Sequence, residues 1–335
     1  MTVAMLRCFR KTLLGIGLAS VSAIAPVATQ AAETLKIGTV VWAGYGPFYV
    51  ADELDLYKDH GLDVDLQFFN DPALIPSAIA SRAVDGGMLT YDQVVGSVAK
   101  GLKHRVVMPI DFSNGGDAIV AEKSITSIAD FKGKPVGYNP LSPSDFLLAY
   151  ALQTNGMTEK DIRPVNMTPE GIPGAMASGS LPIGVTYEPN VSQILGMGNG
   201  EKYHVVYSSK DAPGLITDVL VFDQSMIEKR PEAIKAMIQG YQAGLEYMQA
   251  NPDESARIIA KVLGVMPEEA VEQMEGAYNL PLDEMAKSFE QSDDTTSFFG
   301  SGAVIADILV KNQQIQAAPD FADTFDASFV EALTE

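Results

Sequence analysis

The 335-residue sequence contains one cysteine, one tryptophan and three histidines. Its cysteine, Cys8, lies within the first ten residues, so the rest of the chain carries no thiol. That distribution excludes disulfides, thiol catalysis and cysteine-ligated metals from the body of the protein. A chain of this length does not need disulfides, because it can bury enough apolar surface for stability.

Catalytic arrangements are also lacking. The histidines at His60, His104 and His204 do not have the spacing of a metal site. The sequence has no nucleophile elbow and no glycine-rich phosphate loop that ends in Lys-Ser or Lys-Thr. It therefore predicts no catalytic residue, no metal and no cofactor, and it favours a binding protein over an enzyme.

Basic residues are scarce, with 23 Lys and Arg against 43 Asp and Glu. Without the three basic residues of the first 32 positions, 20 basic residues remain against 43 acidic ones, a net charge near −23. Nucleic acids and anionic membranes are bound largely through Lys and Arg. We therefore expect the protein to bind neither of them.

Residues 1–32 have the layout of a secretory signal peptide. Three basic residues precede the apolar run TLLGIGLASVSAIAPVA, and the small residues of TQAAE follow it. Serines and Pro26 interrupt the run, which is shorter than the ~20 strongly apolar residues of a membrane anchor, the alternative interpretation. We expect cleavage after Ala31 or Ala32 and export to the periplasm. Cys8 precedes the apolar run, so no lipid anchor is predicted.

Beyond the signal peptide, strand-like runs alternate with Gly/Pro turns and helical stretches. The strand-like runs are LKIGTVV (35–41), DVDLQFF (63–69), HRVVMPIDF (104–112), KPVGYN (134–139), RPVNM (163–167), IGVTY (183–187) and YHVVYS (203–208). Such alternation predicts an α/β fold with mainly parallel sheets. After residue 224 the pattern becomes nearly all helical.

Several predicted helices begin where strands end. Four of these starts are marked by a cap or a first-turn proline: Pro47; Thr90 with Gln93; Ser142 with Pro143, Ser144 and Asp145; and Glu188 with Pro189. In open α/β sheets, ligands bind at the carboxyl edge of the strands, where helix N-termini favour an anion. The alternative is that each cap stabilises only its own helix.

Aromatic and acidic residues accompany these helix starts. Trp42 and Tyr45 lie in a glycine-flanked loop after the first strand, and Tyr187 ends the run IGVTY. We predict all three as ligand contacts. Asp117 follows two adjacent glycines in SNGGD and either contacts an amine or caps a turn. Asp218, in TDVLVFD, has the same two interpretations.

A short internal repeat links two of these positions. The segments ASRAVDGGMLTYDQVV and ASGSLPIGVTYEPNV align Thr90-Tyr91-Asp92 with Thr186-Tyr187-Glu188. The repeat predicts two similar α/β lobes, each with a tyrosine–acid pair at the equivalent edge. Chance similarity is the alternative.

The chain resembles substrate-binding proteins of ABC importers, in particular the nitrate/sulfonate/taurine and thiamine-pyrimidine-precursor branch. The resemblance is carried by the opening LKIGTVVWAGYGPFYVADELDLYKDHGLDVDLQFF and by GGDAIVAEKSITSIADFKGKPVGY, TYEPNVSQIL and SSKDAPGLITDVLVFD. It implies a two-lobed periplasmic-binding-protein fold of type II, with a helical C-terminal part. Lobe one is expected at 33–117 plus 222–335 and lobe two at 118–221, with hinge strands crossing near 117–122 and 216–222.

The same resemblance implies a function. A monomer would capture a small solute between its lobes and deliver it to an ABC permease in the inner membrane. The residues that the resemblance assigns to this cleft are Trp42, Tyr45, Thr90, Tyr91, Asp117, Ser142, Ser144, Asp145, Tyr187 and Glu188. Thiamine-pyrimidine enzymes of the same family need cysteine- and histidine-containing motifs, which this chain lacks.

The candidate residues point to two kinds of solute. Capped helix starts favour an anion, whereas Asp117, Asp145 and Glu188 favour a cation or a hydrogen-bond donor. A zwitterion satisfies both, so we expect a small nitrogen- or sulfur-containing solute of the sulfonate or taurine type. The alternatives are a cationic amine or pyrimidine-type heterocycle, a sensor subunit for a membrane receptor, and a two-lobed enzyme.

Overall fold

The computed structural model describes residues 33–334. The predicted signal peptide lies outside the described residues. Within residues 33–334, no helix is both long enough and apolar enough to cross a membrane.

Eleven strands lie in the described part of the chain. They are β1 (Glu33–Thr39), β2 (Leu62–Phe68), β3 (Gly86–Thr90), β4 (His104–Ser113), β5 (Asp117–Glu122), β6 (Pro135–Tyr138), β7 (Arg163–Asn166), β8 (Ile183–Tyr187), β9 (Tyr203–Ser208), β10 (Thr217–Asp223) and β11 (Ala277–Asn279).

Thirteen α-helices accompany the strands in the same part of the chain. They are α1 (Gly46–Glu53), α2 (Ile75–Ala80), α3 (Tyr91–Ala99), α4 (Pro143–Thr154), α5 (Gly171–Ala177), α6 (Asn190–Leu195), α7 (Gln224–Lys229), α8 (Pro231–Ala250), α9 (Pro252–Leu263), α10 (Pro267–Met274), α11 (Leu282–Met285), α12 (Phe298–Lys311) and α13 (Ser328–Thr334).

The strands form two sheets. The six-stranded sheet has the order β11-β4-β10-β3-β1-β2, and the five-stranded sheet has the order β7-β6-β8-β5-β9. We call the parts built on them lobe one and lobe two. Sequence patterning predicted mainly parallel sheets, but both sheets are mixed: β10 runs antiparallel to β3 and β4, and β5 runs antiparallel to β8 and β9. The reason is topological. Strands β5 and β10 each enter from the other lobe, so each begins at the sheet edge where its neighbouring strands end.

The chain passes between the sheets twice, at residues 114–116 and 209–216, which we call the crossing segments. They lie just before β5 and β10, near the predicted crossings at 117–122 and 216–222. Two serines join them: the hydroxyls of Ser113 and Ser209 are 2.8 Å apart, and the amide of Gly115 donates to the Ser209 hydroxyl at 2.6 Å. These bonds tie the outgoing chain to the returning chain.

The C-terminal helices support the site from behind. Helix α8 packs closely on α1, because a Cβ at Gly244 would come within 2.1 Å of the Pro47 carbonyl oxygen. On the same helix, the Tyr241 ring lies 4.8 Å from the Phe48 ring, and its hydroxyl donates to the Ile110 carbonyl at 3.0 Å. Helix α8 therefore fixes both α1, which follows the loop with Trp42, and strand β4.

Candidate ligand site

A small cavity lies where the two lobes meet. Its volume is about 20 Å³, and it is lined by Val40, Trp42, Thr90, Asp117, Pro143, Tyr187 and Asp218. We call it the aromatic–acidic cavity. A volume of this size has room for about one water molecule. The lobes are therefore closed on each other, and they must separate for an organic solute to enter.

Lobe one contributes a row of polar residues across its sheet. Asp218 on β10 lies opposite Thr90, the last residue of β3, and opposite Asp111 on β4. Directly opposed residues on antiparallel strands have Cβ atoms roughly 4.5–5.5 Å apart. The strand register therefore brings Asp111 and Asp218 together, although they are far apart in the sequence.

Lobe two contributes a matching pair. Asp117, the first residue of β5, lies opposite Tyr187, the last residue of β8. The Tyr187 hydroxyl is buried and has no hydrogen-bond partner among the described residues. Its ring meets Trp42 of lobe one edge-on, with the ring centroids 6.1 Å apart. This aromatic contact spans the boundary between the lobes.

Trp42 is fixed in place from several sides. It is only 3% exposed, and its indole N–H donates to the Asp111 carboxylate at 3.2 Å. A Cβ at Gly116, in the first crossing segment, would lie 2.3 Å from the far edge of the indole ring. Only glycine allows this approach, so the crossing segment and the tryptophan are packed as one unit.

Tyr45 lies behind the cavity and not in its lining. Its hydroxyl donates to the Asp218 carboxylate, and its ring packs edge-on against Phe48. The structure thus gives Tyr45 the part of a positioning residue, which orients the carboxylate that lines the cavity.

Burial without a basic partner determines the electrostatics of the site. Burial and then the neighbouring Asp218 carboxylate raise the pKa of Asp111 well above its usual range. Burial also raises the pKa of Asp218, against the opposing effect of the Tyr45 hydrogen bond, and raises the pKa of Asp117 to about 7. None of the described residues that line the cavity is basic. The ion pairs found among residues 33–334 all use other carboxylates.

Such a site suits an organic cation. Buried carboxylates are stable when protonated or when paired with a positive charge, and aromatic rings add to the attraction of a cation. Among the described residues, no group of three or more His, Cys, Asp or Glu side chains is arranged to hold a metal ion.

Tyr91 lies away from the cavity. Its hydroxyl bonds to Thr324 at 2.8 Å and donates to the Phe298 carbonyl at 3.0 Å, and its ring packs 4.5 Å from the Phe298 ring. The internal repeat aligned Tyr91 with Tyr187, but in the structure Thr90 takes the position equivalent to Tyr187. Both are last residues of strands, and each lies opposite an aspartate.

The group at the start of α4 also lies outside the lining. The Ser142 hydroxyl caps the helix by accepting from the Ser144 amide at 3.2 Å, and it donates to the Asn139 carbonyl at 2.7 Å. Asp145 accepts from the Leu141 amide and from the Gln314 side chain, each at 2.8 Å. Of this predicted group, only the neighbouring Pro143 lines the cavity.

Glu188 serves the helix that follows it. Its carboxylate accepts from the backbone amide of Ser192 at 3.0 Å and from the Ser192 hydroxyl at 2.9 Å. Helix α6 begins at Asn190, and Pro189 holds the N-cap position. Glu188 therefore lies one residue further from the helix than the sequence suggested. The carboxylate is directed to helix α6.

Asp111 is the site residue that sequence reasoning did not single out. It interrupts the apolar strand HRVVMPIDF, as Asp218 interrupts TDVLVFD. A carboxylate within a buried strand is costly unless it has a partner. That interruption was the available signal, but only the strand register shows that the two aspartates meet.

Comparison with known proteins places the chain among relatives of similar architecture. The family model described as NMT1/THI5 like matches residues 42–255, more than half of the chain. The taurine-binding periplasmic protein of Escherichia coli (strain K12) is 25% identical over 251 residues, 73% of this chain and 78% of that protein. A relative from Brucella abortus (strain 2308) is 24% identical over 324 residues, 96% of this chain and 99% of its own length.

A solved structure confirms the predicted fold. The periplasmic aliphatic sulphonate binding protein SsuA from Escherichia coli superimposes with a TM-score of 0.70 at 17% identity, covering 88% of this chain and 97% of that one. The two-lobed α/β architecture expected from the sequence is thus the architecture of periplasmic binding proteins.

Proposed function

Because the chain belongs to the NMT1/THI5-like family, we propose that it is the solute-binding component of an ABC import system and takes a small amine-bearing solute. The observation that supports this most directly is the placement of Asp117 and Asp218 at a buried cavity beside Trp42 and Tyr187, with no basic residue in the lining. Asp111 adds a third buried carboxylate through its contact with Trp42.

The amine alternative is favoured over a plain sulfonate by charge. A sulfonate in this cavity would have only backbone amides and hydroxyls to neutralise it, and it would face Asp117 and Asp218. An ammonium group would pair with the same carboxylates and release the protons that burial makes them bind. An amine-bearing heterocycle of the pyrimidine type satisfies the same requirement, since Trp42 and Tyr187 supply aromatic edges and faces.

The cellular setting is part of the proposal. The similarity to a taurine-binding periplasmic protein supports a periplasmic location. Delivery of the solute to a permease and its ATPase is proposed together with that location. Binding without chemical conversion is proposed on the same basis. Adjacent permease genes would favour import, whereas an adjacent histidine kinase gene would favour the sensor alternative.

The single tryptophan provides a direct test, since Trp42 is the only tryptophan of the chain and lines the cavity. Its fluorescence would be titrated with ethanolamine, taurine and isethionate, which carry an amine only, an amine with a sulfonate, and a sulfonate only. Aminomethyl- and hydroxymethylpyrimidine form a second matched pair. The protein would be purified after expression and export of the full chain.

We expect ethanolamine, taurine and aminomethylpyrimidine, which carry an amine, to bind. Isethionate and hydroxymethylpyrimidine, which do not, should bind at least tenfold more weakly. If isethionate binds and ethanolamine does not, the solute is an anion and the amine proposal is wrong. If neither series changes the fluorescence and no shift in melting temperature accompanies it, the role of solute binding in this cavity is not supported.

A further inference from the structure

A second cavity of about 180 Å³ lies beside helix α3, which directly follows β3. Helices α2 and α3, the loop before α4 and the end of α12 surround it. Its lining includes Pro76, Asp92, Gly96, Leu141, Leu309 and Ile315. None of its lining residues is shared with the aromatic–acidic cavity.

The carboxylate in the lining of this second cavity is that of Asp92, and the other polar lining residues are Ser77, Gln93, Ser97, Lys100 and Gln314. Asp92 is 5% exposed, and its Oδ1 atom is buried without a hydrogen-bond partner among the described residues. Burial raises the pKa of Asp92 to about 6. Lys100 also lines the cavity but lies two turns further along α3, roughly 12 Å away along the axis. No ion pair found within residues 33–334 joins Lys100 to Asp92.

The size and lining of the cavity suit a compact apolar group. An engineered apolar cavity of about 150 Å³ in another protein binds benzene, so a cavity of 180 Å³ has room for one ring. Leu309 and Ile315 supply aliphatic walls, and Gly96 leaves open space, since a Cβ there would lie 3.7 Å from its nearest neighbour, Leu309.

We propose that this cavity is a second binding site, for a ligand that joins one ring-sized apolar group to a protonated amine or amidine paired with Asp92. The inference goes beyond the proposed import function, because the site lies outside the solute cavity. Occupation of this site would also affect closure of the two lobes. Leu141 belongs to lobe two, and its carbonyl accepts from the Gln93 side chain of lobe one at 3.2 Å. The closed arrangement completes the site, so its ligand favours closure.

Benzamidine is the test probe, because it combines a ring with an amidinium, and benzyl alcohol is the neutral control of similar size. Binding would be measured by calorimetry on the wild-type protein and on four variants. Asp92→Asn removes the charge without changing the shape, and Gly96→Leu fills the cavity. Gly96→Ala is the matched control that leaves most of the space open. Asp218→Asn changes the lining of the solute cavity and leaves every lining residue of the second cavity in place.

We expect benzamidine to bind the wild type, Asp218→Asn and Gly96→Ala within about threefold of one another. Asp92→Asn and Gly96→Leu should each weaken its binding at least tenfold, and benzyl alcohol should bind at least tenfold more weakly than benzamidine. The proposal is overturned if the wild type binds no benzamidine, or if Asp218→Asn abolishes binding while Gly96→Leu and Asp92→Asn keep it. Loss of binding in Asp218→Asn alone would place benzamidine in the solute cavity, which the Trp42 titration tests separately.

Discussion

Asp117 and Glu188 are buried carboxylates of lobe two with different partners. Replacing each by its amide should therefore have different effects. Asp117 lines the aromatic–acidic cavity, so Asp117→Asn removes a charge that an amine would contact. Hydrogen bonds to charged groups contribute about 1.5–3 kcal/mol, which corresponds to more than a tenfold loss of affinity. We expect a loss of that size for the amine solute in the Trp42 fluorescence titration.

Glu188→Gln is the matched control. Its carboxylate accepts two hydrogen bonds from Ser192 at the start of helix α6. We therefore expect affinity to change by less than twofold and stability to fall by less than about 1 kcal/mol, the cost of losing a cap altogether, because glutamine keeps one acceptor oxygen. The sequence alone had suggested a ligand contact at this position. An equal loss of affinity in both variants would show that Glu188 turns toward the solute when the lobes open.

The raised pKa of Asp117, about 7, makes binding depend on pH. Near pH 6 this carboxyl is mostly protonated, and near pH 8 it is mostly charged. Asp92 and Glu188 are the neighbouring carboxylates that also act on it. A cation prefers the charged form, so affinity for an alkylammonium solute should rise by about tenfold from pH 6 to pH 8, with proton release on binding.

Calorimetry at both pH values, in two buffers of different ionisation enthalpy, measures that affinity and the released protons together. Asp117→Asn should reduce the pH dependence without abolishing it, since the asparagine does not titrate while the Asp218 carboxyl, whose pKa burial also raises, still does. Tighter binding at pH 6 than at pH 8 would contradict the proposed pairing of an ammonium with these carboxylates.

Sequence reasoning anticipated part of the lining of the aromatic–acidic cavity, because the carboxyl ends of neighbouring strands meet at one edge of a sheet. Trp42, Thr90, Asp117 and Tyr187 all stand at a strand end, and the structure brings them to one cavity. Asp111 could not be found in this way, because its partner is fixed by the strand register between β4 and β10. Tyr91 shows the opposite failure, since one residue beyond a strand end its side chain enters the core.

At the level of elements, the local sequence pattern predicted where strands lie along the chain but not the direction in which they run in the sheets. The runs 183–187 and 203–208 coincide with β8 and β9, because β-branched and aromatic residues are enriched there between turns. The short strand β11 was not predicted, since its three residues within a helical region pair only with β4. The antiparallel direction of β5 and β10 depends on the crossings, which leave no periodic pattern in the sequence.

The first crossing segment should tolerate no side chain at Gly116. A Cβ there would lie 2.3 Å from the Trp42 ring and 2.8 Å from the Gly276 carbonyl oxygen. Gly116→Ala therefore displaces the indole, and we expect a loss of about 1–3 kcal/mol in stability, typical of overpacking, and at least a tenfold loss of solute affinity. Thermal unfolding and the emission maximum of Trp42 measure the two effects.

Gly174→Ala provides the comparison, because a Cβ at that position of helix α5 meets nothing within 4 Å. Alanine favours a helix by about 1 kcal/mol over glycine, so this variant should be equal or slightly higher in stability, with unchanged emission. Unchanged emission in Gly116→Ala as well would mean that the crossing segment does not position Trp42.

At the level of the whole molecule, the described residues show a closed form and indicate what keeps it closed. The lobe boundaries that we propose follow the crossing segments: lobe two extends from β5 to β9, and the remaining described residues belong to lobe one. Besides the contact of Trp42 with Tyr187 and the bond of Gln93 to the Leu141 carbonyl, side-chain bonds link α4 of lobe two to α12 and to the turn after it. Opening must break these bonds, while the crossing segments remain as the hinge.

Two of those bonds form a matched pair. Gln314 donates to Asp145 at 2.8 Å in a partly buried place, and Gln153 donates to Asp307 at 3.2 Å on the surface. Gln314→Ala leaves a buried carboxylate less satisfied in the closed form, at a cost of about 1–3 kcal/mol, whereas opening exposes Asp145 to water. Gln153→Ala removes an exposed bond, and such bonds contribute little.

We therefore expect Gln314→Ala to shift the ligand-free protein toward the open form, with a larger radius of gyration in small-angle X-ray scattering. Solute affinity should fall by roughly fivefold or more, because part of the binding energy is then used for closure. Gln153→Ala should leave both quantities unchanged. If the two variants behave alike, burial of the Asp145 bond does not control closure, and the aromatic contact between Trp42 and Tyr187 becomes the element to change next.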